Sequence, residues 1–353
     1  MKHFLLAFSL FLTSTIVLQA QCNGRYQQDV FSQVDVTTAV EFGEADGQKL
    51  YMDIYEGQGD MATDRPVIIL CFGGSFVAGS RTTSDIVAFC EAMARKGYVT
   101  AAIDYRLESP LNIIFQENMV KAVMRAVQDG KAAVRFFRKD VANGNTYGID
   151  SSSIFIGRTS AGGILALHVA YMRDLQALPA NWQTWAGDLG GLEGNSGNPG
   201  YSSEVAGVIS FAGALGDSAW LKTNDVPFMT VHAENDGTVP FEIGYPLGLS
   251  SLPDLYGSKV LNHRADILGI SNEFYPYQGS DHPPFMGSNG LKPVVVDSTV
   301  QQMTRFLYKL LPCGGVASDI ELLTESDGIS IFPNPLQNDI LNIKTNGRDF
   351  DQL

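Results

Sequence analysis

The run SIFIGRTSAGGILALHVAY, residues 153–171, reads as a strand, a sharp turn and a helix, with Ser160 in the turn. A serine hydroxyl is a weak nucleophile. It needs a base to take its proton, a group to orient that base, and donors for the oxyanion that develops. A tight strand-to-helix turn exposes the serine Oγ and strains its backbone, and strand and helix crowd there, so small residues are needed two before and two after. Gly162 and Gly163 satisfy the far side. On the near side the glycine stands at 157, and Arg158 occupies the crowded position. A plain turn with a helix-capping serine gives the same local pattern, so the remaining parts of the chemistry decide.

Each part has a candidate. The segment ILCFGGSFVAGS, residues 69–80, follows an apolar strand; Gly73 and Gly74 let the backbone approach an oxygen closely. The N–H groups of Gly74 and Ser75, with that of Ala161 at the helix start, are the expected oxyanion donors. Asp236 follows the strand VPFMTVH in the loop AENDGTVP and is the expected orienting acid, with Glu234 as competitor. His282, in the loop YQGSDHPPF after the last strand, is the expected base. The other histidines fit less well. His3 lies in the leader, His168 on the helix after Ser160, packed or at the surface, and His263 on a polar helix. His232 ends the strand before Asp236 and shapes that loop. The chain order Ser160, Asp236, His282 is that of the α/β-hydrolase triad and differs from the orders in two unrelated serine protease folds.

The elements that must hold these groups are legible in the hydrophobic pattern. Residues 34–55 alternate in two strands about a Gly/Asp turn, with Leu50, Met52 and Ile54 on one side and Tyr51, Asp53 and Tyr55 on the other: a half-buried antiparallel hairpin. The continuous run VIILC, residues 67–71, is instead a strand covered on both faces. Helices are expected over 85–97, 117–139, 161–173, 257–268 and 294–311, separated by strands at YVTAAID, SIFIG, GVISFAG, VPFMTVH and NEFYPY. This alternation implies an α/β class: a mostly parallel central sheet with helices on both faces and an N-terminal antiparallel hairpin. Ligands then bind at the carboxyl ends of the strands, where every candidate above falls. Residues 176–204, rich in Gly, Asn and Pro and carrying Trp182 and Trp185, break the alternation. They read either as a surface loop or as a cap whose aromatics line an acyl or alcohol pocket. Asp188, Glu193 and Asn195 in this stretch lack the spacing of a calcium loop.

The net charge of −14 supplies no basic patch and excludes nucleic acid and anionic membranes as partners. Residues 1–20 have a short positive end, an apolar run and Leu18-Gln19-Ala20, a signal-peptide pattern with cleavage after Ala20. The mature protein is therefore expected outside the cytoplasm, secreted or at the cell surface after passage through the periplasm, with no stable membrane span. Disulfides are then permitted. Four cysteines allow three pairings; Cys22 and Cys313 bracket the folded domain as a possible clasp, while Cys71 and Cys90 read equally as a pair or as buried thiols. The expected division is a catalytic domain over 21–313, a linker over 314–328 and a tail over 329–353.

Taken together, the chain resembles the α/β-hydrolase superfamily, specifically secreted bacterial carboxylesterase/lipase-like proteins, over roughly residues 25–312. FGGSFVAGS resembles the family's His-Gly-Gly-Gly-Phe loop, GYVTAAIDYRL its next strand, RTSAGG its elbow, and HAENDGTVP and GSDHPPF its acid and base loops. DLGGLEGNSGNPGYSSEV resembles a segment that precedes the acid strand in such proteins. The resemblance implies hydrolysis of small-molecule or polymer-linked carboxylic esters through an acyl-enzyme, with Ser160 attacking, His282 shuttling the proton, Asp236 orienting His282, and no metal or organic cofactor. Three positions depart from the pattern: Phe72 for the loop histidine, Ser75 for a glycine, and Arg158 for the elbow glycine. The last leaves a second reading, a catalytically impaired surface binding protein. A third, a peptidase of the same fold, would need a large extra domain that this length does not hold. The tail, with Phe332-Pro333-Asn334-Pro335, resembles the opening of the C-terminal sorting domain of type IX secretion substrates. Only its start is present, so the domain is expected to be truncated at Leu353, and the full tail would engage the type IX machinery.

Overall fold

The computed structural model describes residue 22 and residues 24–287, 290–313, 329–337 and 340–345. The leader over 1–20 and the linker over 314–328 lie outside the described residues, as does much of the tail. The chain runs β1 (Val34–Ala45), β2 (Gln48–Gly57), β3 (Arg65–Cys71), α1 (Ser84–Arg95), β4 (Val99–Ile103), α2 (Gln116–Ala142), β5 (Ile149–Thr159), α3 (Ala161–Tyr171) and α4 (Ala180–Asp188). It continues with β6 (Gly207–Phe211), β7 (Ala214–Leu215), β8 (Phe228–Ala233), β9 (Ile243–Gly244), β10 (Leu255–Gly257), α5 (Ser258–Leu268) and β11 (Asn272–Tyr277). Short β12 (Met286–Gly287) and β13 (Gly290–Leu291), α6 (Pro293–Lys309), and a hairpin of β14 (Ile329–Gln337) and β15 (Ile340–Thr345) follow.

Eight strands form one sheet in the order β1-β2-β4-β3-β5-β6-β8-β11. β1–β2 and β2–β4 pair antiparallel, and every later neighbour pairs parallel. The crossover through α1 carries the chain from β3 to one side, and the crossover through α2 carries it back to the other side of β3. Such crossovers are right-handed as a rule, which places the two helices on opposite faces. α1 packs with α6, and α2 with α3 and α4. Covered on both faces, β3, β4, β6 and β8 are buried at every residue, which is why they read as unbroken apolar runs.

The N-terminal hairpin corrects one expectation. Asp53 and Tyr55, assigned to an exposed face, are both buried. α1 lies across β2, so the second face of that strand is covered as well. Asp53 stays soluble in this setting by accepting from Ala39 N at 2.7 Å and Arg81 Nε at 2.9 Å. Cys22 and Cys313 form a disulfide, and Cys71 and Cys90 are free and buried. No helix among the described residues is long and apolar enough to cross a membrane.

Candidate active site

The chain departs in opposite directions from β3, so a crevice opens at the carboxyl ends of β3 and β5, the place where open α/β sheets bind ligands. Ser160 follows β5 there with φ 55 and ψ −121, a conformation that costs on the order of 1–3 kcal/mol for a non-glycine residue. The surroundings enforce it. Ser160 N donates to Phe211 O at 2.8 Å, while Ile164 N returns to Ser160 O at 2.8 Å to start α3. The turn is so tight that a Cβ at Gly162 would fall 2.0 Å from Cys71 O, so no other residue fits two positions after the serine.

Ser160 Oγ lies 2.7 Å from His282 Nε2, and His282 Nδ1 lies 2.5 Å from Asp236 Oδ2. The acidic partner only accepts, so Nδ1 carries a proton and Nε2 of the neutral ring faces the serine hydroxyl as an acceptor. Asp236 Oδ1 accepts from Thr238 N at 2.8 Å and Val239 N at 3.1 Å. Burial pushes the Asp236 carboxyl up, but hydrogen bonds from His232 and His282 outweigh it and hold the group well below the usual carboxylate range. His232 is the buttress: its Nε2 sits 3.1 Å from Val239 O and 3.3 Å from Asp236 Oδ2, and its Nδ1 2.8 Å from Ser258 Oγ. Two acceptors at Nε2 fix the proton there, and Ser258 donates to Nδ1. Glu234, the competing acid, instead accepts from Gln278 Nε2 at 2.6 Å in an exposed position.

The loop after β3, where oxyanion donors were expected, has an unusual backbone. Gly74, Ser75 and Phe76 have φ of 125, 54 and 62, and Val77 N and Ala78 N both fold back onto Gly74 O, at 3.0 and 3.1 Å. Phe72 stacks on Tyr105 with centroids 4.1 Å apart. The Tyr105 hydroxyl donates to Phe72 O at 2.8 Å, so an aromatic pair braces the loop. Ser75 and Ala161 line the cavity beside Ser160; Gly74 does not, and Phe76, absent from the sequence reading, does.

Arg158 is accommodated by turning away. Its φ is 134, a glycine-like value, and its side chain is completely buried. The guanidinium lies 4.0 Å from the Phe89 centroid, 5.2 Å from Phe285 and 5.9 Å from Phe211. Nη2 donates to Asp85 O at 3.0 Å and meets Asp85 Oδ2 at 3.2 Å, while Nε and Nη1 find no partner among the described residues. Burial lowers its pKa to about 10 against the opposing pull of Asp85. Phe285 follows His282 by three residues and is fully buried, so this cation packs between α1 and the loop that carries the base.

A narrow, mostly apolar cavity leads away from Ser160. Its walls come from α2 (Met119, Val120), α3 (Ile164, His168) and the segment around Leu255. Of the stretch 176–204, Trp182 on α4 reaches the cavity. The half after α4 does not cap it. It packs along α2, where Lys131 Nζ and Arg135 Nη1 meet Glu193 carboxylate oxygens at 2.7 and 2.9 Å and Gln128 Nε2 donates to Gly191 O at 2.7 Å. Ser196 Oγ donates to buried Asp129 at 2.6 Å, beside the Arg106 guanidinium. His168 and Met172, also on the cavity wall, were not anticipated, although Ala161, Ile164 and His168 share the helical spacing that puts residues on one face.

A protein-family model described as BD-FAE matches residues 52–216. No curated protein matches the chain. Among solved structures, esterase 2 of Thermogutta terrifontis phosphorylated by paraoxon is similar at 22% identity, covering 79% of this chain and 95% of that one with a TM-score of 0.57. Its propionate-bound form gives 22%, 77%, 93% and 0.56, and its butyrate-bound form 21%, 80%, 95% and 0.57. The chain has the α/β-hydrolase fold. In that fold Ser160 stands between β5 and α3, Asp236 after β8 and His282 after β11.

Proposed function

We propose that the protein is a secreted serine hydrolase that cleaves carboxylic esters through an acyl-enzyme. The observation that carries this reading is the unbroken hydrogen-bonded chain from Ser160 through His282 to Asp236, at 2.7 and 2.5 Å, on a strained turn at the sheet's switch point. Ser160 Oγ attacks the ester carbonyl as His282 Nε2 takes its proton. The C=O electron pair moves to oxygen, and the N–H groups of Ser75 and Ala161 stabilise that oxyanion, with Gly74 setting the course of the loop. Collapse expels the alcohol, which leaves with the proton from His282. Water then adds to the acyl-enzyme with His282 as base, and the acid departs as Ser160 regains its proton. Asp236 holds the imidazole in the required tautomer and stabilises the imidazolium.

The similar structures are named as an esterase and are recorded with propionate and butyrate bound, which supports an ester as substrate. Arg158 motivates the reading of an impaired binding protein. Because its side chain leaves the turn for the Phe89–Phe285 box, the Ser160–His282 contact stays short, and the hydrolase reading is favoured. Secretion rests on the leader pattern and accords with a disulfide between Cys22 and Cys313. Export by the type IX machinery rests on the tail resemblance alone.

The test is hydrolysis of para-nitrophenyl acetate by the full chain beside Ser160→Ala, with a fluorophosphonate probe mapped by mass spectrometry. Turnover by the parent and labelling at Ser160 are expected. A parent that neither turns over the ester nor takes the label refutes the reading.

A further inference from the structure

The cavity wall contains a polar atom that the proposed chemistry does not use. His168 is 3% exposed, and its Nδ1 lies 2.8 Å from Ile164 O. A carbonyl oxygen only accepts, so Nδ1 carries the proton, and the neutral ring presents Nε2 as a bare acceptor. Nε2 has no hydrogen-bond partner among the described residues. The ring cannot turn freely, because it packs edge-on to Trp220 with centroids 5.5 Å apart. Gly216 also lines the cavity, and a Cβ there would stand 3.3 Å from Nε2. The missing side chain admits the Trp220 ring, which such a Cβ would meet at 2.8 Å, and leaves Nε2 beside the cavity wall at Gly216.

We propose that His168 is a specificity residue whose Nε2 accepts a hydrogen bond from a hydroxyl group at the far end of an apolar arm of the ester. This deepens, and rests on, the esterase reading. Eight residues separate Ser160 from His168 along α3, so at ~1.5 Å per residue their backbones stand about 12 Å apart along the helix, and the His168 ring leans back from there toward Ile164 O. Ile164 lies midway on the same face, with Met119 and Val120 of α2 on the wall of the same cavity. The arm therefore crosses apolar surface for two helical turns and meets an acceptor at the end. A buried acceptor left without a donor carries a desolvation penalty. A hydroxyl removes that penalty, whereas an ammonium would have to be desolvated in the same apolar surroundings. Burial holds the His168 imidazole down at about 4 despite its bond to Ile164 O, so the acceptor form is present throughout the neutral range.

The experiment compares kcat/KM of the full chain on two matched pairs: methyl ω-hydroxyoctanoate against methyl octanoate, and methyl para-hydroxyphenylpropanoate against methyl phenylpropanoate. Para-nitrophenyl acetate, too short to reach His168, serves as control. The hydroxylated member of at least one pair is expected to be preferred about 10-fold, and the pair that responds tells an aliphatic arm from an aryl one. His168→Phe should reduce the preference to within about twofold, and His168→Gln, which restores an acceptor, should recover part of it. Equal kcat/KM within both pairs, with the acetate turned over, overturns this inference and leaves the esterase reading standing. If the acetate is not turned over and Ser160 is not labelled, the esterase reading fails instead. Calorimetric titration of Ser160→Ala with the same pairs then decides the His168 contact directly: tighter binding of a hydroxylated member supports it, and equal affinities overturn it.

Discussion

Three side chains spread over 122 residues of sequence converge because each follows the carboxyl end of a strand of one sheet. Ser160→Ala is expected to lower kcat by about 10⁴–10⁶-fold, since the remaining groups act only as a unit with the nucleophile. Asp236→Asn, measured in the same assay, should lose about 10³–10⁴-fold, because the amide favours the wrong imidazole tautomer. Arg158 separates backbone from side-chain effects. Arg158→Ala empties the Phe89–Phe285 box and keeps the φ of 134, whereas Arg158→Gly empties the same box and relieves the backbone. The glycine variant should therefore be more stable than the alanine variant by about 1 kcal/mol or more in urea unfolding. A reversed order would mean that this backbone carries no strain. The triad candidates were legible from order and position alone, since strand ends recur on one edge of a parallel sheet. The destination of Arg158 was not. Its partners Asp85, Phe89 and Phe285 come from α1 and from the loop after β11, and no local pattern announces a contact between segments so far apart.

Helix α3 shows what periodicity conveys and omits. Every one of its residues is buried, so it has no polar face from which to orient it, and His168 could be read as packed or at the surface alike. Burial holds that imidazole at about 4 against an unfolded value of 6.5. The sign follows. Between those values the unfolded chain binds a proton that the folded chain refuses, so stability is fully present above pH 6.5 and falls as the pH drops towards 4, by about 3 kcal/mol in all. His168→Phe should flatten that part of the urea stability profile between pH 7 and 4.5. On α2 the segment after α4 covers the polar face. Asp129 there is fully buried with Arg106 Nη2 at 2.8 Å. Asp129→Ala removes the buried half of the ion pair and leaves Arg106 with the exposed Asp46 carboxylate at 2.7 Å as counter-charge; it should cost about 3 kcal/mol by thermal or chemical unfolding. The sequence pattern distinguishes apolar from polar faces but does not say what lies on a polar one. For the same reason the hairpin was read as half-buried when α1 covers the second face of β2.

At the scale of the whole molecule, the order of strands and helices was readable because buried parallel strands are short apolar runs between helices of amphipathic pattern. The extra strands β7, β9 and β10, a small antiparallel sheet of two- and three-residue pieces, were not, since such lengths carry no periodicity. The disulfide joins residues 291 positions apart. Closing so long a loop restrains the unfolded chain, and replacing both Cys22 and Cys313 by serine should lower stability by about 2–5 kcal/mol, read as a urea-unfolding difference that reductant reproduces in the parent. Cys71 and Cys90 should stay silent to a thiol reagent in the native state, since burial pushes the Cys90 thiol up to about 12 and the Cys71 thiol higher still. The clasp also changes the topology of the polymer: from Cys22 to Cys313 the chain is a covalent ring. A single protease nick in the exposed turn around Met61, 88% accessible, opens that ring without releasing a fragment. The nicked protein should run as one species in denaturing gels without reductant and as two with it, so enzyme cut once in its surroundings stays one molecule.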